Sequence, residues 1–213
     1  MKTFQEYTLI ESEDLPVKEK VSLMNLDQAK PIHHSILVPE VKQAFDDFTQ
    51  LASEGSFCVI GGLAMGAHVR PRTTTDVDVL VSSKETIVDL EMRLRPKFKK
   101  IRPSAFEHIS TGVEVEVITP ELIGISQALA DLAIQDARID QVKGKNVRIA
   151  SPKFMIALKL GRASESRNAR SMQDQTDITK LLQICGPQNL DDLHLSEREK
   201  TLYDQIVRDM NEQ

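Results

Sequence analysis

Residues 57–81, FCVIGGLAMGAHVRPRTTTDVDVLV, decide the fold. The apolar run Phe57–Ile60 reads as a short buried strand that stops at Gly61-Gly62, and Leu63–Val69 carries the pattern of one or two helical turns. Two glycines at a strand-to-helix junction let the backbone approach a phosphate closely, with the amides of the following helix pointing at it. Then comes Asp76-Val77-Asp78-Val79. In a strand, residues two apart share a face, so Asp76 and Asp78 point one way while Val77, Val79 and Val81 point into the core. Two carboxylates side by side repel, and a sheet face holds such a pair with a cation or a proton to compensate. A hard divalent ion such as Mg²⁺ suits that position, because it takes oxygen ligands and bridges to nucleotide phosphates.

A second stretch has the same grammar. In Val113-Glu114-Val115-Glu116-Val117 the valines face the core and the two glutamates share the other face. Around these strands the sequence predicts helices. Val41, Phe45, Phe48 and Ala52 recur at helical spacing, with Pro39 in the first turn and Gly55 at the stop. Ser82-x-x-Glu85 resembles a capping box ahead of the apolar face Ile87, Leu90 and Leu94, and Pro96 ends that helix. Thr119-Pro120-Glu121 reads as another helix start. Ala137–Val142 and Val147–Ala150 flank Lys143-Gly144-Lys145-Asn146 as a hairpin. Ser151-Pro152 opens a helix too apolar for the surface, and Leu195, Leu202, Ile206 and Met210 make a stripe on a last one.

IGGLA followed by RPRTTTDVDV resembles the nucleotidyltransferase superfamily, the DNA polymerase beta-like fold. Its pattern is a Gly-Gly or Gly-Ser turn, a variable spacer, and Asp-x-Asp between apolar residues. The form in this chain looks most like the small bacterial and archaeal members that include toxins of abortive-infection and toxin–antitoxin systems. The resemblance implies an α+β fold, a mixed β-sheet flanked by helices with a C-terminal helical subdomain. On that reading residues 1–37 form an N-terminal arm, 38–150 the nucleotidyltransferase core, and 151–213 the helices that close the cleft.

The resemblance also implies roles. Asp76, Asp78 and a third carboxylate on a neighbouring strand would hold Mg²⁺ or Mn²⁺; Glu116, followed by Val117-Ile118, fits that slot, and Glu114 competes for it on the same face. Gly61 and Gly62 would carry the phosphates of a nucleoside triphosphate, with Arg72 and Thr75 beside them. The stretch 157–182, ALKLGRASESRNARSMQDQTDITKLL, resembles the second motif of the toxin-like members: a lysine on a helix, then arginines, then an Asp-x-x-Asp pair. Carried over by position, Lys159 would contact nucleotide phosphates, and Asp174 or Asp177 would orient it or a substrate group. Gln173 stands where the family places a basic residue.

The expected activity is metal-dependent transfer of a nucleoside monophosphate from a triphosphate to an acceptor hydroxyl. An RNA or tRNA end, a protein, and a small aminoglycoside-like molecule all stay open as acceptors, and a cognate antitoxin is an expected partner if the toxin resemblance holds. The alternative reading is a module of the same fold that senses nucleotide, or binds a partner, without turnover. Three basic clusters bear on the acceptor: Lys97, Lys99, Lys100 and Arg102; Lys143, Lys145 and Arg148; and Arg162 to Arg170. Converging on the cleft they favour RNA; scattered, they favour a protein or small-molecule hydroxyl.

Composition narrows the class. The net charge of −5 over 213 residues argues against a protein that coats nucleic acid. Cys58 and Cys185 lack paired metal spacing and read as buried thiols in a reducing compartment. His33-His34 points apart on any regular element and reads as a surface pair. MKTFQEYTLIESED has no basic-then-apolar pattern, and no stretch approaches the ~20 apolar residues of a membrane span, so a cytoplasmic protein is expected.

Overall fold

The computed structural model describes residues 31–71, 73–165 and 169–212. Most of the expected N-terminal arm, Arg72 and Arg167 therefore lie outside the described residues. A seven-stranded mixed sheet carries the molecule, in the order β3-β4-β5-β2-β1-β7-β6. Its strands are β1 Phe57–Val59, β2 Asp76–Val81, β3 Phe98–Arg102, β4 Ala105–His108, β5 Glu114–Ile118, β6 Arg138–Val142 and β7 Lys145–Ile149. β2 lies parallel to β5 and antiparallel to β1, which is parallel to β7.

A short helix, α1 (Ile32–Ser35), is tied to β6 by the Ile32 amide, which donates to Asp140 Oδ2 at 2.6 Å. α2 (Pro39–Leu51) buries Val41, Phe45 and Phe48, and Phe48 meets Phe57 and Phe98 edge-on with centroids 5.0 and 6.3 Å apart. Edge-to-face aromatic packing of this kind adds ~0.5–1.5 kcal/mol to area burial. α2 ends at Leu51, and Gly55 serves the turn after it, with φ +76°. α3 (Gly61–His68) begins at the first glycine. α4 (Lys84–Leu94) has Ser83 at its N-cap, with no side-chain cap bond, one residue later than the start read at Ser82.

The segment after β5 departs furthest from the sequence reading. Thr119-Pro120 opens only a 3₁₀ turn, Pro120–Ile123, which Gly124 stops at φ +69°. The real helix, α5 (Gln127–Gln135), starts at Ser126, whose hydroxyl accepts from the Leu129 amide at 3.2 Å. Thr119 Oγ1 is buried without a partner, which explains the difference: the cap that a helix at Pro120 needs is not made. The β6–β7 turn is Lys143-Gly144 alone, with φ +48° and +81°, the two left-handed residues that a twisted two-residue hairpin demands.

Three helices complete the chain: α6 (Pro152–Glu165), α7 (Ala169–Cys185) and α8 (Glu197–Asn211). α6 buries Phe154, Met155, Ile156, Leu158 and Leu160 and packs on α7, α8 and α3. α8 is opened by a capping box in which Ser196 and Glu199 satisfy each other's backbone amides. No helix among the described residues is long and apolar enough to cross a membrane.

Candidate active site

The alternation read in the sequence places the carboxylates. Val77, Val79 and Val81 are fully buried, Asp76 is exposed, and Asp78 is half-buried. Because β2 and β5 run parallel in register, Asp76 stands beside Glu114 and Asp78 beside Glu116. The two glutamates then part company. Glu114 is ion-paired with Arg102, whereas Glu116 lines a cleft of about 1220 Å³ together with Asp78 and Gly61.

Gly61 and Gly62 are explained by these neighbours. Gly61 has φ +62°, and a Cβ there would collide with the Asp78 carboxylate. At Gly62 a Cβ would come within 2.7 Å of Thr74 Oγ1, which donates to Asp76 Oδ1 at 2.8 Å. Two glycines thus make room for both carboxylates, a packing demand that the sequence reading assigned to phosphate approach alone. Of the threonines before β2 it is Thr74 that bonds Asp76; Thr75 is exposed, and neither it nor Gly62 nor Asp76 lines the cleft.

Electrostatics single out Asp78. Burial, then the charges of Asp76 and Glu116, push its carboxyl up to about 6, against a smaller opposing pull from Arg162 and Arg170. Those two arginines belong to α6 and α7, line the same cleft, and face the carboxylate from the helical side. The sequence offered them only as members of a basic run. What marks Arg162 is its spacing of three from Lys159, which sets both on one side of α6.

Behind the cleft lies a compensated cluster. Lys159 Nζ donates to Asp174 Oδ1 and Asp177 Oδ2, each at 2.8 Å, and all three residues are buried. Arg162 grips Asp174 with Nε and Nη2, both at 3.0 Å, and Gln173 donates to Asp177 Oδ1 at 3.1 Å. Asp174 reaches the cleft wall, while Lys159 and Asp177 do not. The lysine stands behind the aspartate that holds Arg162.

The donor chemistry at the sheet fits a hard cation, since the carboxylates of Asp76, Asp78 and Glu116 share one face and Asp78 bears a repulsion that a cation would relieve. As the side chains stand, no three His, Cys, Asp or Glu among the described residues are gathered closely enough to hold an ion, Asp76 being turned to Thr74 and Asp78 to Gly61.

The mixed seven-stranded sheet flanked by helices has the nucleotidyltransferase fold. A solved structure that shares it is an antigenic nucleotidyltransferase-like protein from Paracoccidioides brasiliensis, with TM-score 0.59 and 18% identity over 83% of this chain and 91% of that one. At that identity the likeness establishes the fold. Weaker likenesses are to the nucleotidyltransferase toxin MenT4 of Mycobacterium tuberculosis (TM-score 0.43, 13% identity, 90% of this chain and 70% of that one) and to ANT(2")-Ia bound to adenylyl-2"-tobramycin (TM-score 0.41, 14% identity, 90% and 99%). No protein-family model and no curated protein matches the sequence.

Proposed function

We propose that the protein transfers a nucleoside monophosphate from a nucleoside triphosphate to an acceptor hydroxyl, with Asp76, Asp78 and Glu116 as the carboxylates of the reaction centre. One observation carries the reading: Asp78 and Glu116, paired across two parallel strands, meet Gly61 in a cleft that Arg162 and Arg170 enter from the opposite side. Mg²⁺ or Mn²⁺ held by these carboxylates would neutralise phosphate charge and lower the pKa of the acceptor hydroxyl.

The chain's own residues do the rest. Gly61 opens α3 beside Asp78, so the helix amides and the two arginines offer donors to a triphosphate from two directions. A guanidinium fork matches a phosphate in shape, and Asp174 fixes the Arg162 fork through two bonds while Lys159 balances the charge of Asp174. Lys159 and Asp177 are then positioning residues. Alignment puts the acceptor oxygen in line with the α-phosphorus. A bond forms from that oxygen to phosphorus, the α–β bridging bond breaks, pyrophosphate leaves with the electron pair, and the hydroxyl proton passes to water. The helices of 152–211 close one side of the cleft and keep the reacting groups together.

The test is label transfer from each of the four α-labelled nucleoside triphosphates with Mg²⁺, for wild type beside Asp76→Ala and Asp78→Ala. Label on an acceptor with wild type only is the expected result. Triphosphate binding without transfer to any acceptor favours a nucleotide-sensing module instead.

A further inference from the structure

We infer that the acceptor is a compact hydroxyl compound with an apolar body, seated against the wall made by Ile118, Leu122, Ile125 and Leu129, and not a nucleic acid. The inference rests on the transferase reading and names the second substrate of that site.

The basic residues that could have tracked a phosphate backbone are engaged elsewhere. Lys97 pairs with Asp47 at 2.6 Å, Lys99 with Glu107 at 2.7 Å, Lys100 with Glu91 at 2.6 Å, and Arg102 with Glu114. In the second cluster Lys143 pairs with Asp46 at 3.0 Å and Lys145 donates to the Gln50 carbonyl at 2.7 Å. None of these residues lines the cleft; among the described residues of all three clusters, only Arg162 and Arg170 do. Those two face Asp78, where a triphosphate is proposed to lie.

Beyond the proposed triphosphate site the cleft offers a polyanion few cations. With Asp78 and Glu116 given to the proposed cation, Asp174 matched by Lys159 and Arg162, and Arg162 and Arg170 facing the triphosphate, the charged lining left among the described residues is Glu121 and Glu199 against Arg198. A nucleic-acid groove needs the reverse, because at each phosphate contact a Lys or Arg takes the place of a counterion that is released to solvent.

One stretch of the remaining wall is apolar, between polar stretches that carry Ser104, Ser126 and Ser164. Ile118 lies two residues beyond Glu116 on the same face of β5, about 7 Å along the strand, and the 3₁₀ turn carries Leu122 beside it. Leu122 is 59% exposed although it lines a cleft, an arrangement that favours covering by a bound molecule. At about 1220 Å³ the cleft exceeds the roughly 300–1,000 Å³ that holds one small ligand, so a triphosphate leaves room for a second compact molecule. In the transfer the acceptor's hydroxyl oxygen takes the nucleotidyl group, and pyrophosphate and a proton are released.

The experiment offers α-labelled triphosphate and Mg²⁺ to three fractions of a cell lysate: total RNA, total protein, and the small-molecule ultrafiltrate. The expected result is labelled product in the ultrafiltrate that resists nuclease and protease. Label confined to RNA or protein overturns this inference and leaves the transferase reading standing; no label in any fraction overturns both. Leu122→Asp and Ile125→Asp, with folding checked by circular dichroism, should raise the KM for the ultrafiltrate acceptor by about tenfold or more while the triphosphate Kd stays unchanged. An unchanged KM in both variants, or a weakened triphosphate Kd, overturns the placement.

Discussion

Two groups of charges sit within one cleft region and are treated in opposite ways. On α6 and α7 the charges are matched: Lys159 and Arg162 satisfy Asp174, Lys159 and Gln173 satisfy Asp177, and the lysine and both aspartates are buried. At the sheet, Asp78 stands among Asp76 and Glu116 and is pushed up to about 6 by burial and by those neighbours. A compensated cluster is what a fold can bury, whereas an uncompensated one is kept only where something else supplies the missing charge. The difference separates scaffold from the proposed reaction centre more sharply than residue type does, since both groups are built from aspartates.

The comparison can be broken most directly through activity. Asp78→Ala should lower label transfer by about 10³–10⁴-fold, roughly 4–5 kcal/mol of transition-state stabilisation, without unfolding the protein. Activity within a few-fold of wild type would move the reaction centre elsewhere. The matched cluster should respond the other way: Lys159→Ala leaves two buried aspartates without their ammonium and should cost about 3–5 kcal/mol in urea unfolding. A loss below about 1 kcal/mol would show that the aspartates do not depend on that ammonium.

A smaller effect has the opposite sign. The folded carboxyl of Asp78 titrates at about 6, above the ordinary aspartate value of 3.8, so its stability contribution is present below about 4 and is lost as pH rises through about 6. Asp78→Asn removes that loss. In a chelating buffer the variant should be more stable than wild type by about 2 kcal/mol at pH 8, with the gap closing toward pH 4. Equal stability of the two proteins at pH 8 would contradict the repulsion. Smallest of all, Glu114→Ala should change stability by less than about 0.5 kcal/mol, because its ion pair with Arg102 is largely exposed, and should leave transfer unchanged. A large loss of transfer would make Glu114, and not Glu116, the third carboxylate of the reaction centre.

Much of this was legible in the sequence because it rests on periodicity. Alternation along 76–81 and 113–117 sets which residues share a face, and a parallel register then makes Asp78 and Glu116 neighbours. What was not legible depends on partners distant in sequence. Locally only the two apolar residues after Glu116 distinguish it from Glu114; in the fold Arg102, on β3, pairs with Glu114 alone. Lys159 in an apolar run suggests burial, but its two aspartates, 15 and 18 residues on, decide where the ammonium points. Gly61 and Gly62 read as a phosphate turn, and their second demand, space for Asp78 and Thr74, shows only in the fold. The helix at 127–135 was hidden by the stronger local cue at Thr119-Pro120, whose cap is not made.

If a cation supplies the charge missing at Asp78, a thermal melt with and without Mg²⁺ reads it most directly. At a concentration far above its Kd, Mg²⁺ should raise the Tm of wild type by several degrees, about 2–4 °C for each kcal/mol of binding linkage, and leave Asp78→Asn nearly unmoved. An equal rise in both proteins, or none in wild type, would contradict a cation site at Asp78.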